Sequence, residues 1–440
     1  MREHRSHLGE AEQHKADLCE GELYLAEYSP LEARPIFEYL TAVVTPNSEP
    51  DLAIRALRGL GECALNECTI DTASLSDTVA HWEKGIQLSK EFEQEIGGKL
   101  AGSLLENLGL TYQLLGMHEF AREYYMQALE IYRSNNLGGE CAEVLDKIGT
   151  LYREQNKCKE ALDCLEQSLQ IKESVGDRRG VGLTYSLMAL ANGDLWKIEE
   201  AERYSHKALA LLEEVNDPWA VSLIYGRMAW LKFITRNLAP ENLGEAERYA
   251  RKAVAIQEER GFGRGLSKEY HTLFHVVELK EGLEAAEPYI RKACDCARRS
   301  SDIFFLFDAL THIARIEYGR GDYCKLPQYL AEMESYERRG ARISVFKGRL
   351  MTLLGHVALR NGDLENALRY YDQGWHIIVR KRTASTVPPL EQEHEDFKKQ
   401  LLQIPCPQAN MALVAEKVDR IVQEWVDEER KRRENRVESM

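Results

Sequence analysis

Four histidines in the later half of the chain carry the sharpest chemical signal. His271 and His275 are four residues apart in a segment of helical periodicity, a spacing that puts both imidazoles on one helix face, as a zinc site requires. His312 or His356 is the candidate third ligand. No carboxylate or cysteine completes the set persuasively, so neither a metal nor another cofactor is expected. Other chemistry is thinner. No GxxxxGK[ST] loop, GxSxG elbow or HExxH pair occurs, and no nucleophile, base and orienting group can be assembled, so the chain reads as a non-enzyme. The glycines Gly261, Gly263 and Gly265 lack a preceding strand and read as a flexible connection. Cys294 and Cys296 lie two apart on a helical pattern, where side chains diverge, and Arg320-Gly321-Asp322 occupies a turn.

The elements that must hold these residues announce themselves by repetition. Small or apolar anchors recur at Ala33, Ala80, Ala121, Ala161, Ala201, Ala246, Ala286, Leu326 and Ala367, at intervals close to 40. A unit of that length in tandem is the signature of a solenoid. In the third unit Leu105, Leu108 and Tyr112 share one helical face, Gly109 admits a neighbouring helix, and a turn near Gly116 leads to a second helix with Ala121, Tyr125 and Ala128. Each helix pair has a second apolar face that only the next pair can bury. The segments AERYSHKA, AERYARKA and AEPYIRKA, which begin at Ala201, Ala246 and Ala286, echo one another.

The order of Leu-Gly and Tyr in the first helix, then Ala, a bulky residue and Ala in the second, resembles the tetratricopeptide repeat. Leu145, Ile148, Gly149, Tyr152, Ala161, Leu165 and Ser168 repeat it, and the small packing position continues as Ala189, Ala229, Ala314 and Gly355, with Phe274 breaking it. The unit is longer than the common form and lacks its closing Pro. It resembles the repeats of kinesin light chains, of bacterial peptide-responsive regulators such as the Rap type, and of the sensor regions of STAND-type signalling ATPases. The resemblance implies an all-α, superhelical α-α solenoid of about nine helix pairs plus C-terminal capping helices. It spans residues 1–382, with the first two units least regular, a linker at 383–389, and C-terminal helices with a charged tail at 390–440.

In proteins of this kind the exposed face of each first helix lines a concave groove. With the small packing position as the eighth of a unit, the second, fifth, sixth and ninth positions should face it. The later units then present Arg227, Trp230, Lys268, His271, His275, Asp308, His312, Arg315, Arg349 and His356, rich in cations and histidines with a single acid. Units three and four present Glu106, Glu143 and Asp146 against Lys147, and unit five offers Leu183, Leu187 and Leu190. A polarised groove with an apolar middle is expected, suited to an acidic segment or terminal carboxylate beside an apolar side chain.

Composition sets the remaining bounds. With 57 Lys and Arg against 72 Asp and Glu, a net charge of −15 argues against direct nucleic-acid or membrane binding. The ten cysteines form no paired CxxC motif, and the charged N-terminal stretch has no presequence, so a cytoplasmic protein is expected. Function is then sought in a signalling or regulatory complex with a protein or peptide ligand and a separate ATPase or effector as a possible partner. The alternative is a Rap-like stand-alone regulator controlled by a short signalling peptide.

Overall fold

The computed structural model describes residues 9–26, 30–67, 72–92, 97–239, 241–260, 265–300, 302–338, 345–380 and 390–438. All regular structure among them is helical. The expected linker at 383–389 and the glycines Gly261 and Gly263 lie outside the described residues.

The chain divides into two compact units. The first, Met1–Gly261, contains α1 (Glu10–Ala26), α2 (Pro30–Val43), α3 (Pro50–Glu67), α4 (Thr72–Glu91), α5 (Gly98–Leu114), α6 (His118–Ser134), α7 (Gly138–Glu154), α8 (Cys158–Val175), α9 (Arg178–Asp194), α10 (Ile198–Glu214), α11 (Pro218–Ile234) and α12 (Asn242–Arg260). The second, Phe262–Met440, contains α13 (Leu266–Glu281), α14 (Leu283–Ser300), α15 (Ile303–Arg320), α16 (Leu326–Arg338), α17 (Val345–Arg360), α18 (Leu364–Arg380), α19 (Leu390–Leu401) and α20 (Gln408–Glu438). Within each unit successive helices pair, odd with even, through α18.

One packing rule builds most pairs. A glycine in the first helix lets the backbone of the second approach, and the bulky residue four positions after the anchor fills the space over it. A Cβ on Gly109 would sit 2.7 Å from the Tyr125 ring and 3.2 Å from the Ala121 carbonyl; on Gly149, 3.0 Å from Leu165 and 3.2 Å from the Ala161 carbonyl. Gly355 stands in the same relation to Tyr371. Gly21 and Phe37 obey it too, with Ala33 fully buried, so the first repeat is more regular than its sequence indicates. The second repeat corrects the sequence register: Ala80 is exposed, Thr78 is buried in its place, and Trp82 packs over Gly61.

Helices α5 to α10 of the first unit end by a common device. Residues 116, 136, 156, 176, 196 and 216 all adopt a left-handed backbone, with φ between 53° and 73°, at an unvarying interval of 20. In each case the following amide reaches back to a carbonyl five residues earlier, as Met117 N to Tyr112 O and Asp177 N to Lys172 O do at 2.9 Å, the hydrogen bond of a Schellman motif. Gly and Asn occupy five of the six sites; Trp196 holds the other against the usual steric penalty for an L-residue. Asp177, Asp217 and Asp302 then cap the N-termini of α9, α11 and α15 by accepting backbone N–H groups.

At the C-terminus α20 packs against α18, burying Val414, Val418 and Ile421 along one stripe, while Phe397 of α19 lies against Trp375 and Tyr371. Among the described residues no helix is long and apolar enough to cross a membrane.

Candidate functional site

In the first unit, Leu187 of α9 is half-buried, as are Leu183, Leu190 and, on α11, Leu223. Arg227 is half-buried and donates to the Ser186 hydroxyl one repeat earlier. Trp230 is 38% exposed, with its ring 5.5 Å from Phe233. Towards the start of the unit, α3, α5 and α7 line a depression that holds Glu62, Glu106 and Glu143 with Arg55, Arg58 and Lys99. Burial raises the carboxyls of Glu62 and Glu143 above their ordinary range, Glu106 adding to the effect on Glu143. Glu106 itself accepts from Tyr132 Oη at 3.0 Å and pairs with Lys147.

In the second unit the expected residues separate into two groups. His271 and His275 of α13 meet Asp308 and His312 of α15 in one cluster, whose four donor atoms lie within 4.8 Å of one another. His271 Nε2 contacts Asp308 Oδ2, His312 Nε2 lies 3.4 Å from Asp308 Oδ1, and the Nε2 atoms of His271 and His275 are 3.1 Å apart. Burial pushes His275 down to about 4 against the opposing pull of Glu278, whose Oε2 faces its Nδ1 at 3.7 Å. Burial alone would raise the Asp308 carboxyl, but His271 and His312 hold it well below the usual range. Asp308 thus supplies the carboxylate that the sequence did not single out as a ligand, and His312 rather than His356 is the third histidine.

His356 lies apart from that cluster. It is 1% exposed, bonded to Tyr371 Oη at 2.6 Å and stacked on Phe397, whose helix α19 covers it. Burial lowers it to about 4. The cations are internally balanced: Arg315 pairs with Glu278, and Arg349 Nε lies 2.7 Å from Glu393. Lys268 is half-buried. The fifth position of the register, as Glu106, Ser186, His271, Thr311 and Thr352 show by their burial, is covered rather than open to a ligand.

Residues 100–174 match the tetratricopeptide repeat family model. Among solved structures, the fold is similar to a signal transduction ATPase with numerous domains that carries a tetratricopeptide repeat sensor, from Pyrococcus horikoshii, at 15% identity and a TM-score of 0.51. That match covers 85% of this chain and 52% of the other, so this chain spans about half of the ATPase's length. Residues 100–174 are tetratricopeptide repeats, set in an all-α superhelical repeat fold. The fold also matches a Rap protein complexed with competence and sporulation factor, at 16% identity and a TM-score of 0.50, over 94% of this chain and 99% of the other. A putative kinesin light chain from Podosopora anserina with nearly identical TPR-like repeats matches at 15% identity and a TM-score of 0.37, over 46% and 96% of the two chains. No curated protein matches the sequence significantly.

Proposed function

We propose that this repeat protein is a non-enzymatic scaffold or sensor that recognises a protein or peptide segment on the surface of its first helices. The observation that carries the reading is the apolar ground left open by α9 and α11, where Leu183, Leu187, Leu190 and Leu223 are only half-buried and Trp230 is exposed. A large aromatic beside aliphatic side chains, with a guanidinium at hand in Arg227, is the composition of an interface anchor. The ligand suited to the second unit's Lys268, Arg315 and Arg349 has an acidic segment or free carboxylate, and it must displace Glu278 and Glu393 to reach the two arginines.

The test is capture of partners by the intact chain and by Leu187→Asp/Trp230→Ala, with helicity checked by circular dichroism. Loss of capture at unchanged helicity supports the reading; equal capture removes α9 and α11 from the site. A second reading, a Rap-like stand-alone regulator controlled by a short signalling peptide, draws support from the near-complete span shared with the Rap protein. A synthetic library of short peptides separates the two: saturable binding of one free peptide favours the regulator, and binding only to folded proteins favours the scaffold.

A further inference from the structure

α13 and α15 each offer two metal donors at i, i+4 spacing, His271 with His275 and Asp308 with His312. Residues four apart project from one helix face, so each helix aims both donors the same way. The two pairs are offset by the same 37 residues, which sets one pair opposite the other in consecutive repeats. Donors 2.0–2.1 Å from a tetrahedral zinc ion stand about 3.3 Å apart. The separations of 3.1 Å between His271 and His275 and 3.4 Å between His312 and Asp308 match that spacing.

Three further features favour a cation over a cluster held by its own hydrogen bonds. A neutral imidazole has one N–H and one lone pair. With the Nε2 atoms of His271 and His275 facing each other, at least one lone pair points into the cluster beside the carboxylate. The surroundings are dry: Asp308 and His271 are buried, and the rings of Phe274 and Phe305 lie 4.8 Å from His312 and 5.3 Å from His271. Behind His275, Glu278 faces Nδ1 and is held by Arg315. A carboxylate on the far nitrogen of a histidine fixes the tautomer that turns the other nitrogen towards a metal.

We propose that His271, His275, Asp308 and His312 bind one divalent transition-metal ion of the zinc class, which ties the first helices of two consecutive repeats together. Three imidazoles and a carboxylate complete a four-coordinate shell, so the ion acts as a clamp and not as a hydrolytic centre with an open position. Nitrogen donors select against magnesium and calcium, which take oxygen. Because Arg315 and Glu278 are tied to the shell, metal loading fixes the part of the second unit's surface they occupy. The proposal stands independently of the ligand reading above.

The test uses the full chain stripped with chelator, titrated with zinc by calorimetry and with cobalt(II) by absorption. One equivalent of zinc should bind and raise the melting midpoint, and cobalt should give the intense visible bands of a tetrahedral site without a thiolate charge-transfer band. Glu278→Gln should weaken zinc by roughly 10–100-fold, as loss of an outer-shell partner does, and His275→Ala or Asp308→Asn by more. Absence of saturable zinc binding overturns the proposal. So does binding unchanged in His275→Ala, which would place the metal on the cysteines. Should a variant lose its helical dichroism, the cobalt spectrum of the unaltered chain decides alone, and a thiolate band or a non-tetrahedral spectrum overturns the site.

Discussion

Replacing Lys172 by Met should be among the most damaging single changes in the first unit. The ammonium of Lys172, at the end of α8, pairs with the Asp146 carboxylate of α7 and donates to Thr184 Oγ1 of α9 at 3.0 Å; Thr184 in turn donates to Asp146 at 3.0 Å. The side chains of Lys172 and Asp146 are 5% and 13% exposed, so both charges are largely withdrawn from water. Breaking a buried pair by removing one partner costs about 3–5 kcal/mol, mostly from the stranded charge. The residual exposure of Asp146 and its bond from Thr184 point to the lower end, about 3 kcal/mol. The double variant Lys172→Met/Asp146→Leu removes both charges and should recover most of that loss, since apolar replacement of a whole pair is often close to neutral. Urea unfolding followed by circular dichroism measures the sum, and amide exchange in α7, α8 and α9 localises it. A loss below about 1 kcal/mol in the single variant, or a double variant as damaged as the sum of the singles, would refute the argument.

Other consequences are equally direct. A Cβ on Gly102 would lie 2.2 Å from the Tyr132 ring, so Gly102→Ala should cost about 1–3 kcal/mol, whereas Gly139→Ala, with nothing within 4 Å, should be neutral or mildly stabilising in a melting experiment. Trp196, left-handed and 65% exposed, should yield about 1 kcal/mol of stability on replacement by Asn, read as a raised urea midpoint. His356, facing Tyr371, Tyr318, Phe397 and Gln400, has a folded value of about 4 against an ordinary 6.5. The unfolded state therefore binds the proton more tightly: this contribution is intact above pH 6.5 and falls with pH, with about 3 kcal/mol gone by pH 4. His356→Gln should flatten that part of the stability profile. Capture of an acidic ligand should weaken with salt, and Arg315→Glu/Arg349→Glu should abolish it while helicity is kept; equal capture would place the site elsewhere.

The helices were legible because their period is enforced by packing: Gly109 and Gly149 sit where another backbone passes, and Gly355 lies under the Tyr371 ring. Ala80 misled because an alanine two residues beyond the true anchor satisfies the same composition, and only Trp82 lying over Gly61 reveals the shift. The metal-donor cluster was half legible. His271 and His275 declare themselves on one helix, but Asp308 becomes a ligand only when the neighbouring helix is laid beside it, and the offset of 37 residues common to both pairs was the available clue. His356 looked open for a related reason. A helical wheel knows nothing of α19, which supplies its cover 41 and 44 residues later through Phe397 and Gln400.

The left-handed residues recurring every 20 positions from 116 to 216 make copy number an adjustable property of the first unit. Excising 137–176 would join Asn136 to Asp177, so that an N-terminal capping residue still follows a left-handed turn and each later helix keeps its rotational phase. Deleting a single residue inside a helix would instead rotate everything beyond it by about 100° and turn the buried stripe out of the core. Such a chain can lengthen or shorten by whole helix pairs without a new fold, gaining or losing binding surface in fixed increments, while it tolerates small insertions only where a turn absorbs them.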